Sequence, residues 1–494
     1  MNGDLPWSTP PRLIQGGMGV GVSSWRLAQT VSRAGHLGVV SGVALDTVLS
    51  CRLQDGDQGG HIRRVLERFP VPGIVEPIME RYFLPGGRAP GQRYKRLSMH
   101  SHRDNEFSQN LCVVGTFVEV ALAREGHDGL VGINLLTKIQ TPTVPTLFGA
   151  MLAGVHVIVM GAGIPRDVPG SLDSLAVYDP VETGIETTGA SGDRPAPTIR
   201  FDPTRFRAAG ALSRPAFMPI VSSHMLATIL LRKATGSIQG FVVEGPTAGG
   251  HNAPPRGTPV FDDEGQPVYG ERDRPDLEVM RSLGVPFWLA GGIYSPERVR
   301  EAMNEGAAGV QVGTLFAFCK ESGMRPELRR QVLDLVREGK EHVRTDARAS
   351  STGYPFKVAE VPGTVSEASV HKARERVCDL GYLREVYLRP DDSIGYRCAA
   401  EPVETYLLKG GRLEDTVGRR CICNSLIATI GMGQLLKDGT TEPPIVTSGD
   451  ALPAVLEVLG DREDYSAADV IAYLMGEPRD AVGAAASAGQ SRED

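Results

Sequence analysis

The chain of 494 residues contains no apolar run long enough to cross a membrane, so no spanning segment is expected. It also lacks an excess of positive charge. The formal net charge is −7, which gives no electrostatic case for nucleic acid or an anionic membrane surface as a partner. Met1-Asn2-Gly3-Asp4-Leu5-Pro6-Trp7 has neither a basic region nor an apolar core, so no secretory signal is read there. Cysteine is scarce and odd in number, 7 in all. That is too few for a disulfide framework at this length and points to a reducing, cytoplasmic setting. No Gly-x-Gly-x-x-Gly fingerprint follows a strand with an acidic residue at the right distance. Residues 16–21 lack the third glycine at its spacing, so a Rossmann dinucleotide site is unsupported.

Glycine and proline are plentiful instead, 59 and 35 residues, in a chain that is 41% hydrophobic. The length suits one barrel-sized domain with a smaller appendage. Short apolar runs recur along it. Arg12-Leu13-Ile14-Gln15 enters Gly16-Gly17-Met18-Gly19, a helical pattern follows over 23–34 with Ser23 as its N-cap, and 37–42 reads as a second buried strand. Strand, glycine turn, helix and strand within about thirty residues make a βαβ unit with parallel strands. Further strands are predicted at 131–136, 155–160, 216–223, 240–244, 286–292 and 309–314. Eight buried strands with crossovers predict an α/β (β/α)8 TIM barrel over 10–360. The connections 51–128, after strand two, and 164–215, after strand four, are insertions expected to project over the active-site face as lids or binding elements. A C-terminal α-rich subdomain is expected over 361–483 and a disordered tail over 484–494.

Glycine pairs end three of these strands: Gly16-Gly17, Gly249-Gly250 and Gly291-Gly292. Strand eight ends in Gly313-Thr314. The loops after strands seven and eight are where barrels commonly bind phosphate through backbone N–H groups and a small hydroxyl. Gly291, Gly292, Gly313 and Thr314 therefore predict a phosphate cup, although any one pair alone would mean only a tight turn. His251 closes Glu244-Gly245-Pro246-Thr247-Ala248-Gly249-Gly250-His251 at the end of strand six. An unperturbed imidazole titrates near pH 6.5 and suits proton transfer near neutrality; the plainer alternative is a histidine hydrogen-bonded in a loop.

Gln15-Gly16-Gly17-Met18-Gly19, Ala248-Gly249-Gly250-His251, Leu289-Ala290-Gly291-Gly292-Ile293 and Gly309-Val310-Gln311-Val312-Gly313-Thr314 resemble, in order, four motifs of the flavin-dependent nitronate monooxygenase (2-nitropropane dioxygenase-like) family. Flavin-dependent enoyl-acyl-carrier-protein reductases are close relatives that share them. The resemblance covers about residues 10–360, with Thr352-Gly353-Tyr354-Pro355 similar to the segment after the barrel. It implies FMN, with its phosphate in the cup. Gly17, Met18 and Gly19 would lie against the ring or ribityl chain, and Asn134 matches the family's asparagine beside the flavin. Ser222 stands where relatives carry lysine or serine, Glu244 where many carry glutamine, and His251 at the catalytic histidine. Gly249, Gly250 and Ala290 complete the implied cofactor contacts. Pro246-Thr247 replaces the acidic variant found in relatives, which separates this chain from them at the substrate rather than at the cofactor.

The resemblance implies an oxidoreductase of nitronate monooxygenase type, oxidising a small acidic carbon substrate, with His251 as base or orienting group and O2 as acceptor. The alternative is an NAD(P)H-dependent enoyl-thioester reductase of a polyketide or fatty-acid pathway, with an acyl-carrier protein as a possible partner. A flavin-binding scaffold without turnover is a third reading. A homo-oligomer is compatible with all three. Two metal readings stay open. His100, His102 and Asp104 form a conceivable site but read more simply as a polar loop. Cys378, Cys398, Cys421 and Cys423 make a complete ligand set for zinc or an iron–sulfur cluster, against the alternative of buried free thiols.

Overall fold

The computed structural model describes residues 5–487. Its centre is a closed parallel barrel of eight strands: β1 (Leu13–Gln15), β2 (Leu37–Ser41), β3 (Val131–Leu136), β4 (Val157–Gly161), β5 (Ala216–Val221), β6 (Phe241–Glu244), β7 (Phe287–Ala290) and β8 (Gly309–Val312). They follow one another round the ring in chain order, and β1 closes on β8 with Leu13 opposite Val310. The (β/α)8 architecture expected from the apolar runs is the one observed. Branched residues dominate because a strand covered on both faces has no polar side to show. The inside is a packed core: Ile14, Val39, Val159, Met218 and Val242 meet Trp288 and Trp7 there. Trp288 is fully buried, donates from Nε1 to Pro11 O at 2.7 Å, and meets Trp7 edge to face. With this end plugged, a ligand must bind at the other, where the strands' C-termini open.

Helix Trp25–Arg33 follows β1, and its N-cap is Ser24, whose side chain accepts from Leu27 N–H. Ser23, the expected cap, does something else. Its hydroxyl donates to Gly16 O and accepts from Met18 N–H, both at 2.9 Å, and so ties down the glycine loop. The insertion after β2 is helical and ends in the long helix Glu106–Arg124, which packs on helix Thr143–Leu152 and on Trp25–Arg33. The insertion after β4 holds helix Val168–Ala176 and a small antiparallel pair, Val181–Gly184 with Thr198–Phe201.

Beyond the barrel, Val343–Asp346 and Phe356–Ala359 form an antiparallel sheet whose edge is Gly250–His251. The residues from 361 onward carry short helices and one hairpin, Glu385–Leu388 with Ile394–Arg397. Helix Ala467–Met475 starts at a Ser466–Asp469 capping box and packs on Trp25–Arg33 and Pro296–Asn304. Val470 and Ile471 share one apolar cluster with Leu13 and Val310, so this segment is part of the barrel's outer wall. Residues 484–487 belong to helix Arg479–Ser487, not to an irregular tail; 488–494 lie outside the described residues. Among the described residues no helix is long and apolar enough to cross a membrane.

Candidate active site

The C-terminal mouth of the barrel holds a cleft of about 1690 Å³, open mouth included. Gly17, Met18 and Gly19 enter it from β1, Asn134 from β3 and Glu244 from β6. Gly249, Gly250 and His251 line it from the turn after β6, Ala290, Gly291 and Gly292 from β7, and Gly313 and Thr314 from β8. Motifs spread over some 300 residues of chain thus meet around one space. Ser222 does not line it. It lies in an adjoining cavity of about 980 Å³, open mouth included, with Tyr269, Arg256 and Tyr354; Glu244 and His251 border both spaces.

Gly17 and Asn134 fix one side of the main cleft. A Cβ on Gly17 would stand 2.2 Å from Asn134 Cβ, so only glycine lets the β1 loop pass. Asn134 Nδ2 is 3.4 Å from Gly17 O, and Asn134 Oδ1 is buried with no partner. A buried acceptor left unpaired costs on the order of 1–3 kcal/mol, and here it faces a space that could supply the missing donor. On the opposite side Gly291 and Gly292 take φ of +86° and +71°, a turn that residues with side chains rarely make.

Thr314 Oγ1 accepts from Gly449 N–H at 3.0 Å. Ser448 and Gly449 therefore stand beside Thr314 in the cleft wall, with Thr447 next to them. These residues follow Thr314 by more than 130 positions and belong to no motif, so nothing local in the sequence pointed to them. Tyr382, Leu383 and Leu426 of the C-terminal segment also line the cleft and were equally invisible.

His251 is held by strand pairing to Phe356, and its ring meets that of Phe356 edge to face at 4.7 Å. Its Nε2 lies 2.7 Å from Ser350 Oγ, which in turn lies 2.7 Å from Thr352 Oγ1. Burial pushes the imidazole pKa down to about 4, because removing water penalises the charged form. The ring is neutral at pH 7, in place of the titration near 6.5 expected for a free imidazole. Glu244 responds to burial in the opposite sense: its carboxyl is pushed up to about 8 and so carries a proton at neutrality.

The histidines of the 100–104 loop do not share a site. His100 Nε2 is 2.6 Å from Asp46 Oδ2, His102 Nδ1 is 2.8 Å from Tyr396 OH, and Asp104 accepts from Gln109.

Residues 211–355 match the family model described as nitronate monooxygenase, a span that runs from β5 past His251 to Pro355. No curated protein sequence matches the chain significantly. Among solved structures it is similar to FabK from Thermotoga maritima, at 16% identity and a TM-score of 0.48 over 97% of this chain and 96% of that one. It is also similar to nitroalkane oxidase from Streptomyces ansochromogenes, at 13% identity and 0.46 over 97% and 98%. The enoyl reductase domain of MlnA from Bacillus amyloliquefaciens gives 10% identity and 0.45 over 96% and 94%.

Proposed function

We propose that the chain, whose residues 211–355 match the nitronate monooxygenase family model, is a flavin-dependent oxidoreductase that binds FMN and reduces an enoyl thioester at the expense of NAD(P)H. The residues at the cleft suit FMN. Gly291, Gly292, Gly313, Thr314, Ser448 and Gly449 would hold its phosphate, and Asn134 Oδ1 is an acceptor in want of a donor. When bound, the flavin supplies hydride transfer between nicotinamide and substrate.

The direction of the reaction rests on one observation. Of the titratable groups on the wall common to both cavities, burial pushes the Glu244 carboxyl up to about 8 and the His251 imidazole down to about 4, so both favour their uncharged forms at pH 7. An oxidase that takes a carbon-bound proton needs a base there, and an imidazole with a pKa of about 4 is a weak one. Two neutral groups able to donate hydrogen bonds fit a different task. They can polarise a carbonyl oxygen in a water-poor site, where such bonds act most strongly. A thioester conjugated to a double bond presents that oxygen. Ser350 holds one nitrogen of His251, which leaves Nδ1 as the ring's remaining polar atom. The second cavity, bordered by Ser222 and Tyr269, would take the acyl chain.

The oxidative reading keeps one support, the description of the matched family itself. Anaerobic mixing separates the two. NADPH or NADH should bleach the flavin within seconds, and a crotonyl thioester should restore its colour. Bleaching by a nitronate, with no response to either nicotinamide, would overturn the reductive assignment; protein that takes up no FMN would overturn both.

A further inference from the structure

Asp46, His100 and Cys112 bring a carboxylate, an imidazole and a thiol to one point, and the path of the chain explains why. Asp46 stands at the start of helix Leu45–Gln54, after β2, and Cys112 lies on helix Glu106–Arg124. The two helices meet at backbone level: a Cβ on Gly115 would stand 2.6 Å from Leu45 O and 3.0 Å from Asp46 N. Cys112 is one turn before Gly115 on the same helix face, so the close crossing sets its sulfur against Asp46. The chain just before helix Glu106–Arg124 returns His100 to the same place. Its backbone carbonyl accepts from Arg384, and its ring leans on that of Tyr382.

Asp46 Oδ2 lies 2.6 Å from His100 Nε2 and 3.7 Å from Cys112 Sγ, and Nε2 lies 3.8 Å from that sulfur. One ligand atom of each residue thus falls within 4.8 Å of the other two. Asp46 and Cys112 are buried, while the His100 side chain stays 11% exposed, which leaves an entry path. The other carboxylate oxygen is engaged from behind. Asp46 Oδ1 accepts from Tyr382 OH at 2.6 Å and from Thr47 N–H at 2.9 Å, so Oδ2 is turned toward the sulfur and the ring. Outer donors of this kind orient a ligating carboxylate.

Two plainer readings fit these distances less well. A relay of cysteine, histidine and aspartate uses both ring nitrogens, one toward the nucleophile and one toward the acid. Here Nε2 faces both partners, so the ring has no second nitrogen in the relay. A hydrogen-bonded pair accounts for Asp46 and His100 but leaves the thiol with only long contacts. A tetrahedral zinc, with bonds of about 2.3 Å to sulfur and about 2.0 Å to nitrogen and oxygen, has edges of about 3.5 Å from sulfur to either. Both observed edges to Cys112 are close to that. The third is the length of a shared hydrogen, and it opens to about 3.3 Å when an ion takes the hydrogen's place.

A thiolate ligand excludes magnesium and calcium, which take oxygen donors, and a mixed sulfur, nitrogen and oxygen set suits zinc. We propose that Asp46, His100 and Cys112 bind one zinc ion, with water as the fourth ligand. Binding replaces the Cys112 S–H bond by an S–Zn bond and releases that proton. His100 Nε2 exchanges its hydrogen for the ion, and the neutral ring keeps a proton on Nδ1. Carboxylate and thiolate together cancel the charge of the ion, so the buried centre is neutral as a whole. The zinc fastens helix Glu106–Arg124 to the segment that leaves β2. Through Asp46 it also holds Tyr382, which lines the main cleft. The site is independent of the flavin reaction and of its direction.

The full chain, stripped with a chelator and then dialysed against a zinc salt alone, should hold about one zinc that survives gel filtration. Cys112→Ser should weaken its binding at least about a hundredfold. Cys51→Ala, which removes another buried thiol from helix Leu45–Gln54, should bind zinc as the parent does. Cys378, Cys398, Cys421 and Cys423 are free thiols of the C-terminal segment. Zinc that survives Cys112→Ser but is lost from Cys398→Ser would lie with them and overturn the proposal. If Cys112→Ser does not fold, cobalt in the intact parent reports the same bond through a near-ultraviolet thiolate-to-cobalt band with the intensity of one sulfur. No such band, or the intensity of several sulfurs, overturns the proposal, as does stripped protein that retains no zinc.

Discussion

His251 Nε2 stands 2.7 Å from Ser350 Oγ, joining the strand end after β6 to a loop 99 residues farther along. That contact, with Phe356 against the ring, fixes which nitrogen is left for a substrate. A neutral buried hydrogen bond contributes about 1 kcal/mol, and losing it costs more than that in turnover when it orients a catalytic ring. Ser350→Ala should therefore lower kcat/KM about tenfold, and His251→Ala at least about a hundredfold. Bound flavin, read from its absorbance, should be unchanged in both. Turnover untouched in His251→Ala would remove the ring from the mechanism.

Glu244 gives the site a pH signature. Its folded pKa is raised to about 8 from 4.5 by burial, so the fold keeps a proton that the unfolded chain gives up. Its contribution to stability is complete below pH 4.5 and drains away as pH rises toward 8. Activity that needs the protonated carboxyl should fall along an alkaline limb with a midpoint near pH 8. Glu244→Gln is a permanently neutral donor of similar shape. It should flatten that limb and raise the melting temperature more at pH 8.5 than at pH 5. Equal Tm shifts at both pH values, with the limb intact, would place the ionising group elsewhere.

The eight strands were legible because each is buried on both faces and so reads as a continuous apolar run bounded by glycine or polar residues. The cleft was legible where a strand's own end supplies it, as with Gly17, Asn134, Glu244, Gly291 and Thr314. Ser448 and Gly449 were not, because their place in the cleft wall comes from a tertiary hydrogen bond to Thr314 rather than from any local pattern. Helix Ala467–Met475 falls in the stretch expected to be α-rich, but only packing shows that its apolar face belongs to the barrel wall. The pKa values of His251 and Glu244 could not be read either, since desolvation depends on what the fold places around them.

Gly17 tests the cofactor assignment without touching a polar group. Any Cβ there would meet Asn134 Cβ at 2.2 Å, far inside contact distance, so the β1 loop or Asn134 must move. Gly17→Ala should lower the Tm by roughly several degrees through overpacking and bind FMN at least about tenfold more weakly. Equilibrium dialysis measures the change. Gly270→Ala, where a Cβ meets nothing within 4 Å, is the matched control and should bind FMN as the parent does.

Ser222 separates the two cavities experimentally, because it borders only the second. If that space receives the acyl chain, Ser222→Leu should raise KM for long enoyl thioesters at least about tenfold by occupying their volume. A crotonyl thioester, too short to reach, should be affected less than about threefold. Reduction of the flavin by NADPH and its dissociation constant should both stay put, since Ser222 does not line the cleft that holds Gly17, Asn134 and the residues proposed to take the phosphate. A fall in flavin affinity would instead return Ser222 to the ring's edge, the place that resemblance to the family first assigned it. Steady-state kinetics across a chain-length series, run beside dialysis for FMN, reads both quantities from one preparation.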